Sequence, residues 1–131
     1  MLQSLTVSNI VLIEQLTLQF APGLTVLTGE TGAGKSILLD ALGLALGSRA
    51  DFGRIRQGHD QAHVSASFVL PANHPAWQLV EEAGIMQEDE MILRRRLKSD
   101  GKSSASINDI AVSVGLLRQV GDLLVEIQGQ F

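Results

Sequence analysis

Residues Gly29-Glu30-Thr31-Gly32-Ala33-Gly34-Lys35-Ser36 satisfy G-x-x-x-x-G-K-[ST] at every defined position. Their flanks restrict what can be built around them. Leu24 to Thr28, just ahead, is short and mostly apolar, a strand signal. Lys35 to Leu46, just behind, carries Ile37, Leu38, Leu39, Ala41, Leu42, Leu44, Ala45 and Leu46, so it is apolar nearly all round. That is the pattern of a helix covered on several sides, and Gly47 is its natural stop. A strand, a glycine-rich loop and a buried helix in this order predict an α/β fold with the helix packed on a sheet. The spacing also has a chemical reason. Backbone N–H groups must wrap the phosphates of a nucleotide, and glycines let the main chain come close enough in the required dihedrals. The helix N-terminus adds unpaired N–H groups and its positive dipole end. Lys35 is placed to reach the β- and γ-phosphates, and Ser36 to offer its hydroxyl to Mg²⁺.

The rest of the chain reads as strand-rich. Leu5 and Val7, then Leu16, Leu18 and Phe20, alternate with Thr6, Ser8, Thr17 and Gln19, predicting two half-buried strands before a turn at Pro22-Gly23. Ser48 to Asp60 is a polar loop with Arg49, Arg54 and Arg56. Val64, Ala66, Phe68 and Leu70 restart the alternation, and Ala76 to Ala83 is a short helix closed by Gly84. Met91 to Leu97 and Ser103 to Ile107 flank Ser99-Asp100-Gly101-Lys102, a hairpin signal. Asn108-Asp109 is the next turn. A helix from Val112 to roughly Leu117–Val120 and a last short strand, Leu123 to Ile127, complete the reading.

Composition narrows the function classes. At 131 residues the chain has room for one domain, and 45% hydrophobic against 18% charged residues suffices for a core. Ten Lys+Arg against fourteen Asp+Glu give a net charge of −4, so the chain as a whole is not a polybasic nucleic-acid binder. The absence of cysteine excludes disulfides, thiolate catalysis and cysteine zinc sites. Met1-Leu2-Gln3-Ser4 opens no signal-peptide pattern, and no run reaches the roughly 18–20 apolar residues of a membrane span. The expectation is a cytoplasmic domain without membrane contact.

Gripping phosphate is not hydrolysing it. Hydrolysis needs a second acid on the Mg²⁺ side, usually an Asp closing an apolar strand. Asp40 lies in the P-loop helix, and Asp51, Asp60, Asp89, Asp100 and Asp109 follow polar or turn sequence. Leu123-Leu124-Val125-Glu126 comes nearest, with Glu in place of Asp. An ordinary strand residue is the preferred reading of Glu126.

At this point a family resemblance becomes specific. Leu5 to Asn9, the strand ending at Phe20, Pro22 to Leu27 and the P-loop resemble the N-terminal end of the RecN family. Ile55-Arg56-Gln57-Gly58, the Asp100-Gly101-Lys102 hairpin, Ile107-Asn108-Asp109 and Leu124 to Gln130 extend the likeness over the whole chain. These are bacterial double-strand-break repair ATPases of the SMC-like branch of ABC ATPases. The resemblance implies that 1–131 is the N-terminal lobe of an ABC/SMC-type P-loop ATPase head, its strand-rich sheet packed on a central P-loop helix. It implies ATP and Mg²⁺ as cofactors and places phosphate binding on Gly29, Glu30, Thr31, Gly32, Ala33, Gly34, Lys35 and Ser36. Gln130 falls at the Q-loop position that contacts Mg²⁺ and the attacking water. Gln128 is a second contender, because Gln128-Gly129-Gln130 stands where the family usually has His-Gly-Gln. Asn9 matches an Asn near the nucleotide. Arg54 and Arg56 lie where such heads can bring an Arg toward the phosphates, and solvated loop arginines are an equal alternative.

The signature motif, the acidic strand with its catalytic Glu and the switch His come in that family from a C-terminal lobe beyond a long coiled coil, and none occurs here. The expectation is therefore an ATP-binding half-site with negligible turnover alone. Its partners would be its own C-terminal head lobe, a second head that sandwiches ATP, and DNA in the complete protein. Two alternatives stand: a self-sufficient P-loop kinase or small NTPase acting on a soluble acceptor, and a module in which nucleotide only stabilises or switches a scaffold.

Arg94-Arg95-Arg96-Leu97-Lys98, with Lys102, is the concentrated positive region. A strand puts Arg94 and Arg96 on one face and Arg95 on the other. The readings are a DNA-phosphate contact and an edge hairpin guarded by charge. Glu88, Asp89 and Glu90 dilute the field, which favours the edge hairpin. His59, His63 and His74 are spaced too irregularly for a metal site, and Trp77 is expected to be a half-buried anchor.

Overall fold

The computed structural model describes residues 2–19 and 32–128, side chains excepted at 32–36 and 125–128. The strand expected at Leu24 to Thr28 lies outside them. Among the described residues, six antiparallel strands form one sheet: β1 (Leu2–Ile10), β2 (Ile13–Gln19), β3 (Gln61–Val69), β4 (Glu90–Lys98), β5 (Ser103–Ile107) and β6 (Ile110–Val112). Their order is β2-β1-β3-β4-β5-β6. The α-helices of the described residues are α1 (Gly32–Ala45), α2 (Pro75–Glu81) and α3 (Val114–Gln128).

The period of two divides the sheet into faces. Leu5, Val7, Val64, Ala66, Phe68, Met91, Leu93, Leu97 and Ile107 point inward and are buried. Each large side chain among them contributes about 1.5–3 kcal/mol relative to exposure. Helix α1 lies against this face, touching β1, β3 and β4, and buries Ala41, Leu42, Leu44 and Ala45. Helix α3 packs against β5 and α2, with Leu117, Val120 and Leu124 turned inward at helical spacing. The apolar character of α1 is thus met mainly by the sheet, with α3 docked just past its end at Leu46 and Gly47. Leu39, 40% exposed, is the main uncovered apolar position among its described side chains.

Turn chemistry sets the register. The β4–β5 hairpin closes at Asp100-Gly101, with Gly101 at φ +91° and Asp100 Oδ1 accepting from the Lys102 N–H at 3.0 Å. Asn108 and Asp109 both have positive φ, 49° and 69°, and make the two-residue turn that returns β6 along β5. The alternation signal did not reveal β6, which is only three residues long.

The β1–β2 turn is costlier. Val11 is β-branched yet sits at φ +51°, two residues after Asn9 at +57°. Its N–H donates to the Arg54 carbonyl at 2.7 Å, and the Arg56 N–H donates to the Asn9 carbonyl at 2.8 Å. The following loop therefore holds the strained turn in place.

Four sequence expectations are corrected. Val112 does not open a helix, because it ends β6 and α3 starts at Val114. Leu123 to Ile127 is not a strand, because α3 runs unbroken from Val114 to Gln128. Leu124, inside the segment that looks like a short strand, continues the helix's buried stripe. The β4–β5 hairpin is not an edge, since β4 lies between β3 and β5 and β5 is itself covered by β6. Charge protection of an edge therefore does not explain the arginines. Trp77 is fully buried, at 1% exposure.

Candidate functional site

Helix α1 begins at Gly32, so the backbone of Gly32, Ala33, Gly34, Lys35 and Ser36 forms its opening turns. No acidic residue occupies the first turn. The positive end of the helix dipole is therefore not neutralised by a carboxylate of its own, which suits an anion. Gly29, Glu30, Thr31 and Gln130 lie outside the described residues, and Gln128 is the last residue of α3.

The far end of α1 is closed twice over. Gly47, at φ +94°, donates to the Leu44 carbonyl at 3.1 Å, and the Ser48 N–H donates to the Gly43 carbonyl at 3.0 Å. These are the two hydrogen bonds of a Schellman cap. Arg95 then reaches in from β4. Its Nη1 donates to the carbonyls of Leu44 at 3.1 Å and Ser48 at 2.9 Å, and its Nε donates to Ser103 Oγ at 2.8 Å. Sequence reasoning put Arg95 on the opposite face from its neighbours but missed this role. Its place between Leu93 and Leu97 in the inward series was the available signal.

Arg54 and Arg56 are both engaged within the protein. Arg54 bridges to Asp40 of α1 at 2.8 Å and to Asp51 at 3.7 Å, tying the loop to the solvent side of the P-loop helix. Arg56 Nη1 donates to the Leu12 carbonyl at 2.7 Å while its own N–H holds Asn9. Asn9 and Arg56 are thus brought together at the β1–β2 turn, and Arg54 is turned toward α1.

The opposite face of the sheet is polar. Register aligns Thr17, Thr6, Ser65, Arg94 and Ser106 in one row, and Gln15, Ser8, His63, Arg96 and Ser104 in the next. Thr6, His63, Ser65, Arg94, Arg96 and Ser104 line a concavity of about 490 Å³. Arg94 Nη1 pairs with Asp109 Oδ1 at 2.7 Å. Partial burial, together with the Arg96 and Arg94 guanidinium groups, holds His63 below its ordinary value of 6.5, so it is uncharged at neutral pH. His74 has a different task. Its Nδ1 accepts from the Ala76 N–H at 3.0 Å, making it the N-cap of α2.

Glu126 lies in α3, so the acidic strand that a self-sufficient kinase would require is not formed there. Among the described residues no helix is long and apolar enough to cross a membrane.

The AAA domain family model matches residues 4–124. The chain is 48% identical over 131 residues to the DNA repair protein RecN of Halalkalibacterium halodurans and 44% identical over 131 residues to that of Bacillus subtilis. Both alignments cover 99% of this chain but only 23% of the relative's length. Among solved structures, an SMC ATPase chain described for ATP-driven dimerization and DNA-stimulated activation superposes with a TM-score of 0.72 at 22% identity. That match covers 93% of this chain and 78% of the other.

Proposed function

The chain belongs to the AAA domain family and is similar over nearly its whole length to the N-terminal region of RecN, and on that premise we propose that it is the ATP-binding half of an SMC-like ATPase acting in DNA double-strand-break repair and recombination. The observation that carries this reading is the complete P-loop motif running into α1. Its last five residues form the opening turns of a helix whose first turn carries no acid.

The donor set of this turn fits a nucleotide with Mg²⁺. Backbone N–H groups of Gly29 to Ser36 would hold the phosphates, Lys35 the β- and γ-oxygens, and Ser36 with Gln130 the cation. When bound, Mg²⁺ supplies charge neutralisation at the transferring phosphate. Asn9 and Arg56, joined at the β1–β2 turn, form the flank nearest the nucleotide in this reading. The remaining catalytic groups come from a C-terminal head lobe, and a second head closes the site over ATP. The dimerization described for the SMC ATPase relative in fold supports this arrangement. DNA is the partner of the complete, cytoplasmic protein, and the outward Arg94 and Arg96 are the phosphate contacts that this lobe offers.

Steady-state turnover tests the half-site. This chain alone is expected to bind MgATP with negligible hydrolysis, and hydrolysis is expected to appear once the C-terminal lobe is supplied. Turnover by the chain alone at roughly 1 s⁻¹ or more, on water or on a soluble acceptor, would establish the kinase or small-NTPase reading instead.

A further inference from the structure

We propose that Arg95 is a positioning residue of the nucleotide site, setting the place of the P-loop helix from the end opposite the phosphates. The proposal rests on the nucleotide reading above.

Arg95 is 3% exposed and is the one Lys, Arg, Asp or Glu buried among the described residues. No ion pair among those residues includes it. Its charge is met instead by the Leu44 and Ser48 carbonyls and by Ser103 Oγ. A cation buried without a carboxylate is costly, and the negative end of a helix dipole compensates part of that cost. Burial draws the guanidinium below the ordinary arginine range, but arginine remains charged.

A leucine between Leu93 and Leu97 would serve the core without that cost. Nor does α1 need Arg95 in order to end. The Gly43 and Leu44 carbonyls already accept from Ser48 and Gly47, so Leu44 O is used twice. What arginine adds is direction, since a forked donor on a central strand fixes the end of α1 relative to β4. The helix has 14 residues, a length of about 21 Å. Over that distance it moves as a rigid rod, so a shift at Leu44 becomes a shift at Gly32 to Ser36. A misplacement of about 1 Å there is enough to spoil a phosphate cradle.

The experiment measures MgATP affinity by calorimetry in the full chain for wild type, Arg95→Met, Arg95→Lys, Ser103→Ala and a control, Val80→Ala in α2. Urea unfolding and hydrogen exchange are run on the same samples. Arg95→Met is expected to weaken MgATP about tenfold, and Arg95→Lys and Ser103→Ala about threefold each. It also speeds exchange of the amides from Ala41 to Gly47. Val80→Ala lowers the urea midpoint but leaves affinity within about twofold. Should Arg95→Met fail to fold, the two milder variants carry the test. Wild-type affinity in the folded Arg95 and Ser103 variants overturns the proposal. So does an equal loss in Val80→Ala, or unchanged exchange at the end of α1. A wild-type chain that binds no MgATP overturns the nucleotide reading itself, and that result appears before any Arg95 variant is made.

Discussion

Gly121 of α3 lies so close to the carbonyl oxygen of Leu46 that a Cβ built on it would overlap that oxygen. From the other side, a Cβ on Gly47 would stand 2.5 Å from the Arg118 backbone. Two glycines thus let α3 dock onto the end of the P-loop helix where Arg95 also holds it. In each case the nearest obstructing atoms are main chain, which cannot rotate away.

Gly121→Ala and Gly115→Ala make a matched pair on the same helix. Gly121→Ala forces α3 off α1 and is expected to cost about 3 kcal/mol. Gly115 is exposed and its Cβ would meet only Ser113 Oγ at 3.7 Å, so alanine there stabilises by roughly 0.5 kcal/mol. Urea midpoints of the two variants should move in opposite directions. Equal shifts would refute the close-packing account.

Stability should fall as pH is lowered from 7.5 to 5. Burial holds His74 below its ordinary value of 6.5, and its neutral Nδ1 caps α2. The folded value is depressed, so the stabilisation is fully present above 6.5 and is lost as pH falls through the folded value. His63 adds a share of the same sign. His74→Asn, which keeps an N-cap acceptor, should flatten the dependence of the urea midpoint on pH. His63→Gln should remove the remainder.

Lys35→Ala should weaken MgATP by roughly 100-fold, the loss of a charge-assisted contact of about 2–3 kcal/mol. Intact affinity in this variant, measured by calorimetry, would remove the P-loop assignment.

The outer sheet face separates binding from stability. The Arg94–Asp109 pair is more than half exposed on both sides, so Arg94→Ala costs less than about 1 kcal/mol. Arg94→Ala and Arg96→Ala in the complete protein should each reduce the salt dependence of duplex DNA binding by about one phosphate contact. An unchanged slope in both would place the DNA contact elsewhere.

The sequence by itself determined what is local in the chain. The P-loop and its buried helix, the Gly47 stop, the Asp100-Gly101 hairpin and the Asn108-Asp109 turn all rest on short-range chemistry: φ preferences, caps and periodicity. The family likeness was legible for the same reason, being an ordered set of such pieces. The tertiary structure decided what depends on partners distant in sequence. Leu123 to Ile127 reads as a strand in isolation, but α3, seated through Leu117, Val120 and Leu124, runs on through it as helix. Arg94 to Lys98 reads as a guarded edge, but strand order places it in the middle of the sheet. Arg95 and Leu44 are 51 residues apart, and nothing in either neighbourhood announces that one holds the other. A residue's inward direction is written in its own strand, whereas the carbonyl it meets there is set by how the whole chain packs.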